Sequence, residues 1–165
     1  MFVFAVRYSP LSNHYPINIE IDGETYPSAE HFYQYQKCLA SGNAEAAATV
    51  LMSKQPEDAM AAGSKVKQPT EWTKTEGKKL MKKAANAKFS SANMQLKLKA
   101  TGKRKIAEAT RNTLWGSGHS FTGDCLTLAS IKGDNLMGEI LMELRDDMMR
   151  NQPLPAEGEM VTTTF

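Results

Sequence analysis

The sequence predicts a single α+β domain in which helices outnumber strands. Its 165 residues can bury one hydrophobic core and are few for two domains. Hydrophobic residues make up 41% of the chain and charged residues 23%, which is ordinary for a globular protein. Apolar residues recur at helical spacing in several segments, and only short segments have the composition of strands. The predicted β-sheet is therefore small.

The first 26 residues predict one buried strand, a loop and a hairpin. Residues 2–6 are β-branched or aromatic apart from one alanine, which is typical of a buried strand. Residues 7–16 contain two prolines and small polar residues, and this composition indicates a loop. Residues 17–21 alternate between apolar and polar, and a two-residue Asp-Gly turn leads to a return strand at residues 24–26.

A helix predicted over residues 28–40 follows the hairpin directly. Ser28 is suited to cap its first backbone N–H groups, and Gly42 is suited to a left-handed C-cap. Positions i, i+3, i+4 and i+7 place four polar side chains on one face: Glu30, Tyr33, Gln34 and Lys37. These groups are costly to bury in a core. A functional face explains them, and so does a simpler arrangement in which an acid near the helix N-terminus faces a lysine further along.

The rest of the chain predicts further helices around one strand and one long loop. Proline positions and apolar periodicity indicate helices at residues 44–53, 56–63, 71–89 and 92–100, and a final helix from Asp134 or Asn135 to Arg145. Residues 104–109 lie between Gly102 and a loop, and this position favours a strand. Residues 110–133 are rich in glycine and irregular, and a loop of that length tends to be functional. The segment from Asn151 has prolines and no periodicity, which predicts a disordered tail.

Charge is unevenly distributed along the chain. Residues 74–105 contain eleven lysines and arginines against one acid, Glu76, whereas the segment from Asp134 to the end contains seven acids against two arginines. The basic segment is either a surface that binds nucleic acid or an anionic ligand, or a solvated helix face. Sequence leaves both interpretations open.

The cysteines and the N-terminus predict an intracellular protein. Cys38 and Cys125 have no partner at metal-ligand spacing, so we expect reduced thiols, no metal site and a cytoplasmic location. The N-terminus lacks the basic region of a signal peptide, and no apolar stretch approaches the length of a membrane span.

Five pieces of the chain, in order, resemble the NADAR family. They are Leu11–Pro16, Ile21–Lys37, Ala87–Phe89, Leu114–Gly118 and Asn135–Arg145. The resemblance implies a compact, mostly helical α+β domain over residues 1–149, with 150–165 as the tail. It also implies hydrolysis of N-glycosidic bonds without a cofactor. The implied substrates are phosphorylated ribosylamino intermediates of riboflavin synthesis, or ADP-ribose attached to guanine, free or on DNA or RNA.

The resemblance also implies a set of site residues. Glu30 matches the catalytic glutamate of the family, and the pocket would be lined by Ser12, Asn13, Lys37, Trp115, Gly116 and Asn135. Tyr33 lies on the face of Glu30, and Lys37 and Lys88 are suited to contact phosphate. Asp134 and Glu139 are the candidates for a second acid, and Asp134 is also a candidate to bind substrate, although an Asp at that position is more often a helix cap and Glu139 more often an exposed helix charge. The tryptophan is suited to stack on a base, or to anchor the core.

Three features depart from the family pattern. His14 stands where the family often has Phe, Asn112 stands where it commonly has Asp, and residues 121–132 look inserted. These departures leave the substrate open. They also leave a non-catalytic alternative, in which the chain binds ADP-ribose, a nucleotide or nucleic acid through the basic face of residues 74–105.

The chemistry of a glycosyl bond gives an independent reason to single out Glu30. Cleavage of a ribosyl C–N bond builds positive charge on the sugar. A fixed carboxylate near the anomeric carbon stabilises that charge and can take a proton from water. A carboxylate at the start of a helix beside aromatic residues is suited to this task.

Overall fold

The computed structural model describes residues 1–4, 9–120 and 131–151. Within these residues the strands are β1 (Phe2–Phe4), β2 (Ile19–Ile21), β3 (Glu24–Tyr26) and β4 (Ile106–Glu108). The helices are α1 (Ala29–Ala40), α2 (Ala44–Met52), α3 (Pro56–Ser64), α4 (Thr70–Trp72), α5 (Lys78–Lys88), α6 (Ala92–Lys99) and α7 (Leu136–Asn151). A π-helical segment, Thr73–Gly77, joins α4 to α5. The predicted α+β class with mostly helical content is confirmed.

The strands form two separate two-stranded sheets within the described residues. β1 and β4 pair in parallel, with Phe4 opposite Glu108. β2 and β3 pair antiparallel around the predicted turn, where Asp22 and Gly23 both have positive φ. The strands predicted at residues 17–21 and 104–109 exist but are shorter, because each ladder ends with the three residues of its one partner.

Helix α1 forms as its sequence predicts. The Ser28 Oγ accepts a hydrogen bond from the His31 backbone N–H at 3.3 Å, and Gly42 has φ of 74° at the other end. His31 is fully buried and its Nε2 lies 3.2 Å from the Ser53 carbonyl oxygen, so this histidine is structural. Burial lowers its pKa.

The helix predicted over residues 71–89 is interrupted by the π-helical segment. A Cβ at Gly77 would lie 3.2 Å from the Trp72 ring and 3.3 Å from the Tyr33 hydroxyl oxygen. The absent side chain therefore lets this segment approach α1 closely. Segments of π-helix recur at functional sites because the extra residue per turn redirects side chains.

The end of the chain also differs from the prediction. Helix α7 continues to Asn151, well past Arg145, so the first residues assigned to the tail are helical. The remainder of the predicted tail, residues 152–165, lies outside the described residues, as do residues 121–130 of the apparent insertion.

Helix α1 contributes to all three hydrophobic clusters of the described residues. Tyr33 belongs to the main core, formed by β1, β4, α5, α6 and α7. Phe32 packs in the cluster of the hairpin, and Cys38 packs in the cluster of α2 and α3. Packing on several sides fixes the helix, and with it the side chains of its first turns. None of the described helices is long and apolar enough to cross a membrane.

Candidate active site

A cleft of about 580 Å³ opens at the start of α1. Its lining comes from the loop after β1, α1, α3, the π-helical segment, β4 and the residues that follow β4. Its volume is in the range of small-molecule sites. Five of the predicted site residues line it: Asn13, Glu30, Tyr33, Lys37 and Trp115.

Glu30 is held in this cleft by its neighbours on both sides. Its backbone N–H donates to the Asn13 carbonyl oxygen at 3.1 Å, which ties the loop to the first turn of α1. Its Oε1 accepts a hydrogen bond from the Gln34 Nε2 at 2.7 Å, one helical turn away. The residue is only 6% exposed. The carboxylate is therefore poorly solvated and fixed in direction.

His14 lies between two carboxylates at the same end of the cleft. Its Nε2 is 3.7 Å from the Glu30 Oε2, and its Nδ1 is 3.7 Å from the Glu57 Oε1. The position that departs from the family pattern thus puts a polar ring beside the predicted catalytic group. An aromatic ring without nitrogen could not form these contacts.

An aromatic pair forms one wall of the cleft. The rings of Tyr33 and Trp115 meet edge to face, with centroids 5.3 Å apart and planes at 80°. The Tyr33 side chain lies beside Trp115 and beside Thr73 of the π-helical segment. Burial raises the pKa of Tyr33, and the charge of Glu30 raises it further. The phenol therefore stays protonated, and the wall carries no charge.

Gly63 permits the contact between α3 and Gln34. A Cβ at this glycine would lie 2.2 Å from the Gln34 Oε1 and 2.8 Å from its Cβ, which is closer than real atoms approach. The glycine therefore leaves room for the amide that holds Glu30. Helical spacing places Gln34 on the face of Glu30, but it carries no information about Gly63 on another helix.

Two lysines supply positive charge to the cleft. Lys37 and Lys67 both line it, and within the described residues neither forms an ion pair with an acid. Burial lowers the pKa of Lys37, and the charge of Glu30 acts in the opposite direction. Unpaired cations at a cleft are available for an anionic ligand.

Glu108 is a second carboxyl group that sequence analysis missed. It ends β4, is partly buried and lines the cleft together with Glu30. Burial raises the pKa of Glu108 to about 8, the charge of Glu30 also raises it, and the charge of Lys88 lowers it. An acid within the apolar run of residues 106–109 was the available signal. Sequence spacing could not bring it close to α1.

Two of the predicted residues lie beneath the cleft and do not line it. Lys88 is 2% exposed, and its Nζ donates to the Ser12 carbonyl oxygen. Ser12 in turn accepts a hydrogen bond at its Oγ from the His14 backbone N–H at 3.1 Å. Burial lowers the pKa of Lys88 to about 7, and the charge of Glu108 opposes this shift. These residues support the loop of Asn13 and His14 from below.

Gly116 and Asn135 form a clamp behind β4 and do not line the cleft. The Asn135 Oδ1 accepts from the Glu108 backbone N–H at 3.1 Å, and its Nδ2 donates to the Ile106 carbonyl oxygen at 2.9 Å. The Gly116 carbonyl oxygen accepts from the Asn135 backbone N–H at 3.2 Å. A Cβ at Gly116 would lie 2.8 Å from the Glu108 carbonyl oxygen, so the close packing requires glycine.

The remaining predicted acids belong to a row of surface ion pairs, which we call the lysine ladder. It consists of Lys74 with Asp134 at 2.7 Å, Lys78 with Glu139 at 2.9 Å and Lys82 with Glu143 at 2.9 Å. The two candidates for a second acid are thus both on the surface and paired. Lys79 and Lys83 also form ion pairs, with Glu76 and Asp22, so at least five of the eleven basic residues of segment 74–105 are paired.

Asn112, the other departure from the family pattern, supports the tryptophan. Its Oδ1 accepts hydrogen bonds from the backbone N–H groups of Leu114 and Trp115, both at 2.9 Å. In residues 1–4, 9–120 and 131–151, no three His, Cys, Asp or Glu side chains are grouped so that they could hold a metal ion.

Comparison with known proteins identifies the family of this chain. The family model described as NADAR domain matches residues 2–149. The chain belongs to the NADAR family. It is 33% identical over 146 residues to a protein named N-glycosidase YbiA from Escherichia coli strain K12, a match that covers 86% of this chain and 82% of that protein. The resemblance stated from sequence is therefore confirmed.

Two further relatives extend the comparison. The NMR structure of the E. coli protein YbiA has a TM-score of 0.69 at 27% identity, over 91% of this chain and 86% of that one. The riboflavin biosynthesis protein PYRR of Zea mays is 27% identical over 166 residues, which cover 91% of this chain but 25% of that protein. This NADAR chain thus corresponds to one part of the larger plant protein.

Proposed function

We propose that this NADAR protein is an N-glycosidase that hydrolyses the bond between a phosphorylated or ADP-ribosylated ribose and a nitrogen base, with Glu30 as the catalytic carboxylate. The observation that carries the proposal is a desolvated carboxylate fixed by Gln34 in a cleft with an aromatic wall. The names of its relatives support the reaction class, and those named for riboflavin biosynthesis favour a ribosylamino substrate.

In the proposed reaction the bond from the anomeric carbon to nitrogen lengthens and the sugar becomes cationic. The Glu30 carboxylate stabilises this charge and accepts a proton from the water that attacks the carbon. Gln34 keeps one carboxylate oxygen occupied, so the other is directed towards His14 and the cleft. Because the carboxylate is already desolvated, little reorganisation is needed during the reaction.

Other residues of the cleft suit the remaining parts of such a substrate. The wall of Tyr33 and Trp115 can stack on a base. The Asn13 Oδ1 is buried without a hydrogen-bond partner in the described residues and can accept a hydrogen bond from a sugar hydroxyl. Lys37 and Lys67 can contact phosphate oxygens.

The test is the near-isosteric Glu30→Gln substitution, assayed for release of base from a ribosylaminouracil phosphate and from ADP-ribosyl-guanine, free and in DNA. We expect kcat to fall by about 10²- to 10⁴-fold. The exposed strand residue Glu20 gives a matched control, and Glu20→Gln should retain the parent rate. Retention of the parent rate by folded Glu30→Gln would contradict the proposal.

The alternative of a nucleic-acid module based on residues 74–105 has less support. The lysine ladder and the pairs of Lys79 and Lys83 leave few free cations on the helices of this segment. A phosphate-driven binder loses affinity steeply with salt, whereas a pocket enzyme is stabilised by free ADP-ribose. Binding of unmodified DNA that vanishes between low and moderate salt, together with no thermal shift by ADP-ribose, would favour the alternative.

A further inference from the structure

The backbone of Glu108 is held more firmly than a strand end requires. The Glu108 backbone N–H donates to the Asn135 Oδ1. The Glu108 carbonyl oxygen accepts from the backbone N–H groups of Ser117 at 2.8 Å and Thr110 at 3.1 Å. The glycine at position 116 lets the following loop close over this carbonyl. The motif residues that do not line the cleft thus fix the one residue of β4 that does.

In contrast, no hydrogen bond or ion pair in the described residues holds the Glu108 side chain. The charges that act on it are Glu30 on α1 and Lys88 on α5, and the other titratable groups of the cleft are His14, Tyr33, Lys37 and Lys67. A rigid backbone with a free carboxyl group is typical of a residue positioned for a ligand.

We propose that Glu108 is the general acid of the N-glycosidase reaction proposed above, and that it protonates the leaving nitrogen while Glu30 acts on the water. As the bond between the anomeric carbon and nitrogen breaks, its electron pair goes to nitrogen, which receives the Glu108 proton. The water oxygen bonds to the anomeric carbon and its proton goes to Glu30. The two carboxyl groups end with exchanged protonation, and proton exchange with solvent restores them.

The surroundings of the pair suit this division of roles. Burial and the charge of Glu30 keep the pKa of Glu108 near 8, so it carries a proton at neutral pH. Glu30 accepts a hydrogen bond from the Gln34 Nε2 at 2.7 Å, which holds its carboxyl group in place. Two carboxyl groups in one cleft with different environments are the general pattern of acid and base partners.

The experiment compares Glu108→Gln with the wild type and with Glu139→Gln, a control in which the carboxyl belongs to the lysine ladder. We expect Glu108→Gln to lower kcat on a ribosylaminouracil phosphate by about 10²- to 10³-fold. Wild-type kcat should decline above pH 8, and this decline should be absent in Glu108→Gln. Glu139→Gln should match the wild type.

A second substrate separates proton donation from positioning. Nicotinamide mononucleotide is also a ribosyl phosphate, but its nicotinamide leaves as a neutral molecule and needs no proton. Cleavage of this substrate should therefore be nearly unaffected by Glu108→Gln and should show no decline above pH 8 in the wild type. These wild-type profiles test the proposal even where a variant folds poorly.

Distinct results would overturn this proposal and the proposed function. Equal losses on both substrates, an unchanged alkaline limb in Glu108→Gln, or kcat within about threefold of wild type would each reject Glu108 as the acid. In all three cases a strong effect of Glu30→Gln would leave the glycosidase proposal intact. Absence of glycosidase activity from the wild type would instead reject the reaction itself.

Discussion

The lysine ladder and the cleft contain the same kinds of titratable side chain, but these differ in pairing and in exposure. In the ladder each lysine lies within 3 Å of an acid, and the side chains are between 29% and 48% exposed. In the cleft Glu30 is almost fully buried, and Glu108 and Lys37 have no ion pair within the described residues. The largest cluster of charge in the sequence is therefore paired, and the titratable groups without an ion pair are available to a ligand.

This difference shows why charge density alone misleads. Exposed ion pairs contribute little free energy, because solvent screens them and side-chain ordering opposes them. A buried charge without a partner is costly, so a fold that retains one has a use for it or a special means of holding it. The four predictions below test whether the two regions differ as this argument requires.

The largest effect is expected from Asn135→Ala, which removes the side chain that forms the clamp behind β4. Two backbone groups, on Ile106 and Glu108, lose their buried partner, so the free energy of unfolding should fall by about 2 to 4 kcal/mol. Chemical denaturation measures this loss. Asn93→Ala on the exposed surface of α6 is the control, and equal losses in both variants would contradict a special role for the clamp.

Gly63→Ala should disturb the cleft through Gln34. The added methyl group would overlap the Gln34 amide and displace it from Glu30, so we expect kcat to fall about tenfold or more. Gly42→Ala is a useful comparison because its Cβ would meet nothing within 4 Å, although its φ of 74° strains any side chain. That variant should lose stability and retain activity, as steady-state kinetics and thermal denaturation will determine.

The third prediction concerns stability as a function of pH. The pKa of Glu108 is raised from 4.5 to about 8 in the folded protein, so the folded state binds this proton more tightly than the unfolded state. The resulting stabilisation is complete below pH 4.5 and is lost as pH rises to about 8. Glu108→Gln cannot titrate, so its melting temperature should rise relative to wild type over this window. A constant difference across the window would show that Glu108 is not protonated in the folded protein.

The smallest effect is expected in the ladder. A double-mutant cycle on Lys82 and Glu143 should give a coupling free energy below about 1 kcal/mol, and added salt should reduce it. Activity should not change, since neither residue lines the cleft. A coupling of several kcal/mol, or a large change in kcat, would remove the contrast between the two regions.

Sequence predicted most of the helices, and the place of Glu30 at the start of α1, because their signals are local. The Ser28 cap, the left-handed Gly42 and the shared face of Glu30, Tyr33 and Lys37 all follow from spacing along one helix. The family motifs predicted the fold class that the structure has. The strand predicted at residues 104–109 was too long because its ladder ends with β1, which is distant in sequence.

The parts that sequence missed depend on contacts between distant segments. Asp134 and Glu139 were credible acids until packing paired them with lysines, Asp134 just before α7 with Lys74 of the π-helical segment and Glu139 of α7 with Lys78 of α5. Ser12, Lys88, Gly116 and Asn135 were assigned to the pocket, but the structure places them behind or beneath it, as supports for residues that line it. No periodicity connects residue 108 with residue 30.

The amino-acid order alone determined the secondary structure, the family and the position of one carboxylate at the start of α1. These depend on hydrogen bonds and side-chain spacing within a few residues, which the chain specifies locally. The tertiary structure decided which charges are neutralised and which are exposed to the cleft, and it brought Glu108 to the same cavity as Glu30. Desolvation and pairing depend on neighbours from distant segments, and only the folded chain supplies them.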